Sequence, residues 1–184
     1  MVDKYYADDS TSFQHSLRIH YEKMRLLRAS ILAVLSLTAV FDTLANSTIG
    51  PVCSTTPPPG DLEKAQRAAF DDFIFLLTLS RNPQAAFDKY VPGQYIQHNP
   101  NALSGRENAL NFLVPAWKDP AWSLYVLRQF VDKGHGITFS RASVNGTVMS
   151  AVMDIFRFEG TCIVEHWDVV QAVTGNETNP LAFF

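Results

Sequence analysis

The chain has 184 residues, a net charge of −3, 47% hydrophobic residues and 18% charged ones. That length suits one domain with an appendage, and the apolar share is enough to fill a core. A mildly acidic chain with no basic cluster outside its N-terminal segment argues against a nucleic-acid partner.

Residues 29–41 form an apolar run, too short for a membrane span of about 20 residues. The run follows Arg25 and Arg28 and leads to Thr43-Leu44-Ala45, with small residues at the first and third of those positions. Basic, apolar, then small is the layout of a secretory signal peptide. Met24 directly precedes Arg25, and a start there would give a signal of ordinary length. Residues 1–45 are therefore read as a signal-peptide region. The expectation is a secreted protein with no membrane attachment in its mature form; the alternative is membrane anchoring by an uncleaved N-terminal segment. Asn46-Ser47-Thr48, Asn145-Gly146-Thr147 and Asn176-Glu177-Thr178 are N-glycosylation sequons and agree with secretion. Cys53 and Cys162 are the only cysteines. They allow at most one internal disulfide, which an oxidising compartment would permit. Two cysteines without matching histidine spacing do not make a zinc site, and no metal is expected.

Residues 46–60 are rich in Pro, Ser and Thr and read as a flexible linker. The folded domain is placed at 61–173. Asp61 can cap a helix whose apolar positions Leu62, Ala65, Ala69, Phe73, Leu76 and Leu77 share one face, ending near Ser80. Asn82-Pro83 opens a short second helix over 83–89, with proline in its first turn. Residues 95–100 are extended before Pro100. A third helix covers 105–117. Four strands follow, at 123–132, 136–144, 147–158 and 162–173, with Asn145-Gly146 a strong hairpin signal. Residues 174–184 are an irregular tail. Helices first and an antiparallel meander after them make an α+β layout, with helices on one face of a curved sheet.

The last hairpin carries the chemistry. Asp154, His166 and Asp168 lie among Ile, Phe, Val and Trp. Ionisable groups in an apolar strand pair cost free energy unless paired, hydrogen-bonded or lining a cavity. Strand side chains alternate faces. A three-residue loop, Glu159-Gly160-Thr161, sets Asp154 opposite His166 with Asp168 one step diagonal on the same face, and is the favoured register. A two-residue turn would instead put Asp154 beside Trp167 or Glu165, because a one-residue slip flips the face. Converging on an apolar wall, the three groups would suit general acid–base chemistry. The plainer reading leaves His166 and Asp168 as ordinary polar residues on the solvent face.

The strings Tyr95-Ile96-Gln97-His98-Asn99-Pro100, Gly105-Arg106-Glu107, Asp154-Ile155-Phe156-Arg157 and Ile163-Val164-Glu165-His166-Trp167-Asp168 occur in that order. Together they resemble the SnoaL-like polyketide cyclase family of the NTF2-like superfamily, over about residues 61–173. The resemblance implies a cone: three N-terminal helices packed on a strongly curved antiparallel sheet around a deep hydrophobic cavity. It implies an intramolecular aldol closure with no metal and no cofactor. Asp168 matches the buried aspartate that takes the proton alpha to a carbonyl and returns one to the new alkoxide. Asp154 falls at a polar partner on the neighbouring strand, with His166 beside it. His98 matches a polar residue near the cavity mouth. Many relatives also carry a histidine in the strand matching 136–144, and this chain has none there.

Three functions compete. The first is a cofactor-free cyclase, isomerase or dehydratase acting on an apolar carbonyl compound. The second is a non-catalytic binding module for a hydrophobic small molecule. The third is a structural domain, since this fold often pairs into homodimers through its open sheet face.

Overall fold

The computed structural model describes residues 52–184. The signal-peptide region, the Met24 start, the Asn46 sequon and the first part of the proposed linker lie outside the described residues.

Helix α1, Leu62–Ile74, begins where expected. The Asp61 carboxylate accepts the Lys64 backbone N–H at 3.0 Å, satisfying one of the donors that every helix start leaves open. Its apolar face buries Ala69, Phe70, Phe73 and Ile74. The helix then widens into a π-helical turn, Phe75–Leu79, closed by the Ser80 N–H on the Phe75 carbonyl at 2.9 Å. Helix α2, Pro83–Tyr90, is capped by Asn82, whose side chain accepts from the Ala85 N–H. Helix α3 spans Arg106–Lys118. Among the described residues no helix is long and apolar enough to cross a membrane.

Five strands form one sheet: β1, Ile96–Gln97; β2, Trp122–Asp132; β3, His135–Val144; β4, Thr147–Glu159; and β5, Cys162–Ala172. Their order is β1-β5-β4-β3-β2; β1 runs parallel to β5 and the other pairings are antiparallel. Asn145 and Gly146 make the β3–β4 turn, both at positive φ, as an Asn-Gly hairpin requires. Each antiparallel pairing contains one register shift, at Val126/Arg128, Ala142/Ser143 and Arg157/Phe158. Bulges of this kind bend the strands that carry them. The sheet therefore curves around the helices, in the expected α+β cone.

The floor of the cone is aromatic. Phe73 and Phe156 pack at 5.4 Å between centroids, and Phe70 and Phe156 at 5.6 Å, both within the range for favourable edge and tilted contacts. Gly136 makes this approach possible, since a Cβ there would lie 2.7 Å from the Phe70 ring.

The lower boundary of the domain differs from the expectation. Residues 52–55 are not a free lead-in but a strap across the β4–β5 turn. Cys53 is buried and disulfide-bonded to Cys162. Thr161 N–H donates to the Ser54 carbonyl at 2.8 Å, and Cys53 N–H to the Lys89 carbonyl at 3.2 Å. Gln66 of α1 reaches the same turn, its Nε2 donating to the Gly160 carbonyl at 2.8 Å. The Pro- and Thr-rich composition of the segment says nothing about such anchoring, which depends on where Cys162 comes to lie.

Candidate functional site

The β4–β5 turn has two residues, Gly160 and Thr161, since Glu159 pairs with Cys162 and Phe158 with Ile163. This is not the three-residue loop favoured from the sequence. Continued without interruption, that register would set Asp154 opposite Trp167. The bulge prevents it. Val164 is left unpaired, Arg157 pairs with Glu165, and from there Phe156 faces His166 and Asp154 faces Asp168. Asp154, His166 and Asp168 therefore share the inner face after all, with Asp168 rather than His166 directly opposite Asp154.

These three residues line one part of a cavity of about 320 Å³, at the lower end of the range for small-molecule sites. Its other walls are apolar: Phe73, Ile74 and Leu77 from the first helix and its π turn, Leu113 and Trp117 from α3, Leu124 and Val126 from β2. Phe112 and Val170 also line it, and both are more than half exposed, which puts the opening between α3 and the far end of β5.

The polar end is fully wired. His166 Nε2 lies 3.1 Å from Asp154 Oδ1, with both side chains at or below 14% exposure. Thr138 Oγ1 of β3 donates to Asp154 Oδ2 at 3.0 Å. His166 Nδ1 lies 2.9 Å from Gln97 Oε1. The Asn99 amide donates to both Asp168 oxygens, at 2.9 and 2.6 Å. Tyr95 is buried and stacks on His166, with centroids 6.3 Å apart. Burial pushes its phenol well above the ordinary tyrosine range, and the negative charges of Asp154 and Asp168 push the same way, so it stays protonated.

His98 does not join them. Its Nε2 lies 2.8 Å from Glu165 Oε1, and its ring stacks on Trp167 at 4.7 Å. Both partners are on the outer face of β5, and the His98 side chain is 42% exposed. The reason is parity. In the extended run before Pro100, Tyr95, Gln97 and Asn99 alternate to the cavity while His98 alternates away. The residues missed from the sequence, Gln97 and Asn99, flank the one that was picked, and alternation was the signal that could have found them. Arg157 lies on the outer face, its Nε donating to Glu165 Oε2 at 2.6 Å. Those two contacts hold the Glu165 carboxyl below its ordinary range, His98 first and Arg157 second.

Asp154, His166 and Asp168 bring potential metal ligands within 4.8 Å of one another. Protein donors already engage these groups. The Asn99 NH2 group is aimed at both Asp168 oxygens, and its amide is held that way by the Asn101 N–H on Asn99 Oδ1 at 2.7 Å.

The chain matches no protein-family model and no curated protein. Among solved structures it is similar to an NTF2-like protein of unknown function from Mesorhizobium loti, 15% identical, with a TM-score of 0.51 over 63% of this chain and 98% of that one. It is also similar to AclR from Streptomyces galilaeus, a candidate hydroxylase (12% identical, TM-score 0.47, 59% of this chain and 90% of that one). A third is a candidate SnoaL-like polyketide cyclase from Jannaschia sp. CCS1 (14% identical, TM-score 0.46, 61% and 90%). The first likeness establishes the fold. The chain has an NTF2-like fold, with a polar cluster at one end of its apolar cavity.

Proposed function

We propose that this protein is a SnoaL-like acid–base enzyme that enolises an apolar carbonyl compound, with aldol ring closure or isomerisation as the outcome. One observation carries the reading: Asp154, His166 and Asp168 converge on one polar end of an otherwise apolar cavity. Asp168 is the base. Its carboxylate takes the proton alpha to the carbonyl, and the C–H electron pair passes into an enolate. The enolate carbon then attacks a second carbonyl carbon, whose π pair moves to oxygen and takes a proton from the site; in a conjugated substrate the dienolate is instead reprotonated at its γ carbon by Asp168. Neutral Tyr95 stands in the same cavity as a possible donor to the oxygen that gains charge. The apolar walls exclude water and would hold the carbon skeleton.

The test needs no knowledge of the natural substrate. Apolar ketones that the protein binds are incubated in D2O, and loss of the α-proton signal is followed by NMR. Asp168→Asn should slow the exchange by about 10²–10⁴-fold, the usual range for a positioned acid or base. Exchange that survives the substitution sinks the reading. Tight binding with no exchange for any ketone, in wild type as in the variant, selects the non-catalytic binding module instead.

Secretion belongs to the same proposal. It is supported by the disulfide between Cys53 and Cys162, a bond that persists in oxidising compartments, and by the exposed sequon residues Asn145 and Asn176. Mass spectrometry of protein from the native source tests it: a mature N-terminus near residue 45 and hexosamine on either asparagine are expected.

A further inference from the structure

The hydrogen-bond network fixes more than position. Two of its members have no freedom to reverse their polarity. Gln97 Oε1 accepts the backbone N–H of Asn99 at 3.0 Å, and Asn99 Oδ1 accepts the backbone N–H of Asn101 at 2.7 Å. A backbone N–H can only donate, so both side-chain amides are oriented without ambiguity. The usual uncertainty of amide flips and histidine tautomers is removed by these two bonds.

The consequence runs outward from each amide. Gln97 Oε1 has a second lone pair, and it faces His166 Nδ1 at 2.9 Å. Oxygen accepts, so Nδ1 carries the proton. A neutral histidine protonated at Nδ1 has a bare Nε2. That nitrogen lies 3.1 Å from Asp154 Oδ1, and a bare nitrogen against an ionised carboxylate would be two acceptors in contact. One more proton must lie between them, on the imidazole or on the carboxyl. On the other side, the Asn99 NH2 donates to both oxygens of Asp168, which favours the ionised carboxylate.

We propose that Gln97 and Asn99 are positioning residues that set where the cavity's protons sit: Asp168 is held as the anion, and the His166–Asp154 pair holds one transferable proton. This rests on the acid–base reading of the site and divides the labour within it. Asp168 takes the C–H proton. The alkoxide or enolate oxygen takes the proton held by His166 and Asp154, rather than the one Asp168 has just removed. Transfer from Asp168 back to the pair, whose ligand atoms lie within 4.8 Å of it, restores both and leaves no net change in protons. The titratable groups facing His166 are Asp154 from β4, Asp168 from its own strand and Tyr95 ahead of β1. The helices present apolar side chains to this end of the cavity.

The test is NMR of the full chain, with the His166 ring nitrogens assigned by their loss in His166→Gln. At about neutral pH the wild-type Nδ1 is expected in the proton-bearing range and the Asp168 side-chain carbon in the carboxylate range. Gln97→Met, which removes the acceptor, should shift the proton from Nδ1 to Nε2. Gln97→Glu, which keeps an acceptor oxygen, should leave it on Nδ1. A bare Nδ1 in the wild type, a protonated Asp168 carboxyl, or a ring spectrum unchanged in Gln97→Met would each overturn the proposal. The wild-type spectrum decides even if a variant fails to fold. No turnover is involved, so ketone exchange surviving Asp168→Asn would remove the enzymatic reading and leave this proton arrangement standing.

Discussion

The two faces of β5 carry nearly the same residue types and do different things with them. Outward, His98, Glu165 and Arg157 make a surface network beside Trp167. Inward, His166, Asp154 and Asp168 make a buried one beside Tyr95. Each network contains an imidazole within hydrogen-bond reach of a carboxylate. The outer carboxylate is satisfied by a guanidinium, and water reaches the outer histidine. The inner carboxylates are met by neutral donors, Thr138 and Asn99, at the edge of an apolar space. A cation neutralises a carboxylate, whereas a neutral amide or hydroxyl orients it without cancelling its charge. The difference between the two networks lies in the partner and the solvent, not in the histidine or the acid.

The sharpest way to break this comparison is to remove one carboxylate from each face. Asp168→Asn should lose about 10²–10⁴-fold of any enolisation activity, and Glu165→Gln, a few ångströms away through the strand, should leave the rate near wild type. Equal losses would mean that position on the strand, not face, decides. Next in size is the strap. Replacing Cys53 and Cys162 together by serine opens a loop of 109 residues and should cost about 2–5 kcal/mol of stability, read as a lowered denaturant midpoint. It loosens both faces together, because the turn that sets their register is the point the strap holds. Smaller again is the contrast between faces in packing. Gly136→Ala, driven against Phe70 on the inner face, should cost about 1–3 kcal/mol. Val169→Ser on the outer face, 69% exposed, should stay within about 0.5 kcal/mol.

The smallest expected effect is one of pH. The Glu165 carboxyl is held below its ordinary value of 4.5 by His98 and Arg157. Its contribution to stability is therefore complete above about that pH and disappears as pH falls through the lowered value. A surface pair of this kind contributes about 0–1 kcal/mol. The melting temperatures of wild type and Glu165→Gln should differ slightly at pH 6 and converge on acidification towards pH 3. A gap that widened towards low pH would contradict the pairing.

Much of the fold was written in local chemistry. Asp61 and Asn82 announce helix starts because their side chains can accept backbone donors. Asn145-Gly146 announces a turn because both residues tolerate positive φ. The site was half legible. Asp154, His166 and Asp168 stood out as polar residues in apolar strands, but their register depended on a bulge at Arg157/Phe158, which no residue of that stretch announces. Tyr95, Gln97 and Asn99 were legible by alternation, and His98 drew attention because the family resemblance matched it to a polar residue near the cavity mouth. The strap was legible only as a disulfide that Cys53 and Cys162 could form: Gly160 admits it by lacking a Cβ, which would otherwise stand 2.1 Å from the Ser54 carbonyl, and neither Gly160 nor Ser54 signals the other along the chain.

The unpaired Val164 has a consequence for descent. Because it is the one residue of β5 without an opposite number in β4, its loss would leave Arg157 against Glu165 and Asp154 against Asp168. A one-residue change between His166 and Asp168 would instead turn one of them outward. Val164 is thus where relatives of this protein can differ by one codon while their chemistry stays aligned.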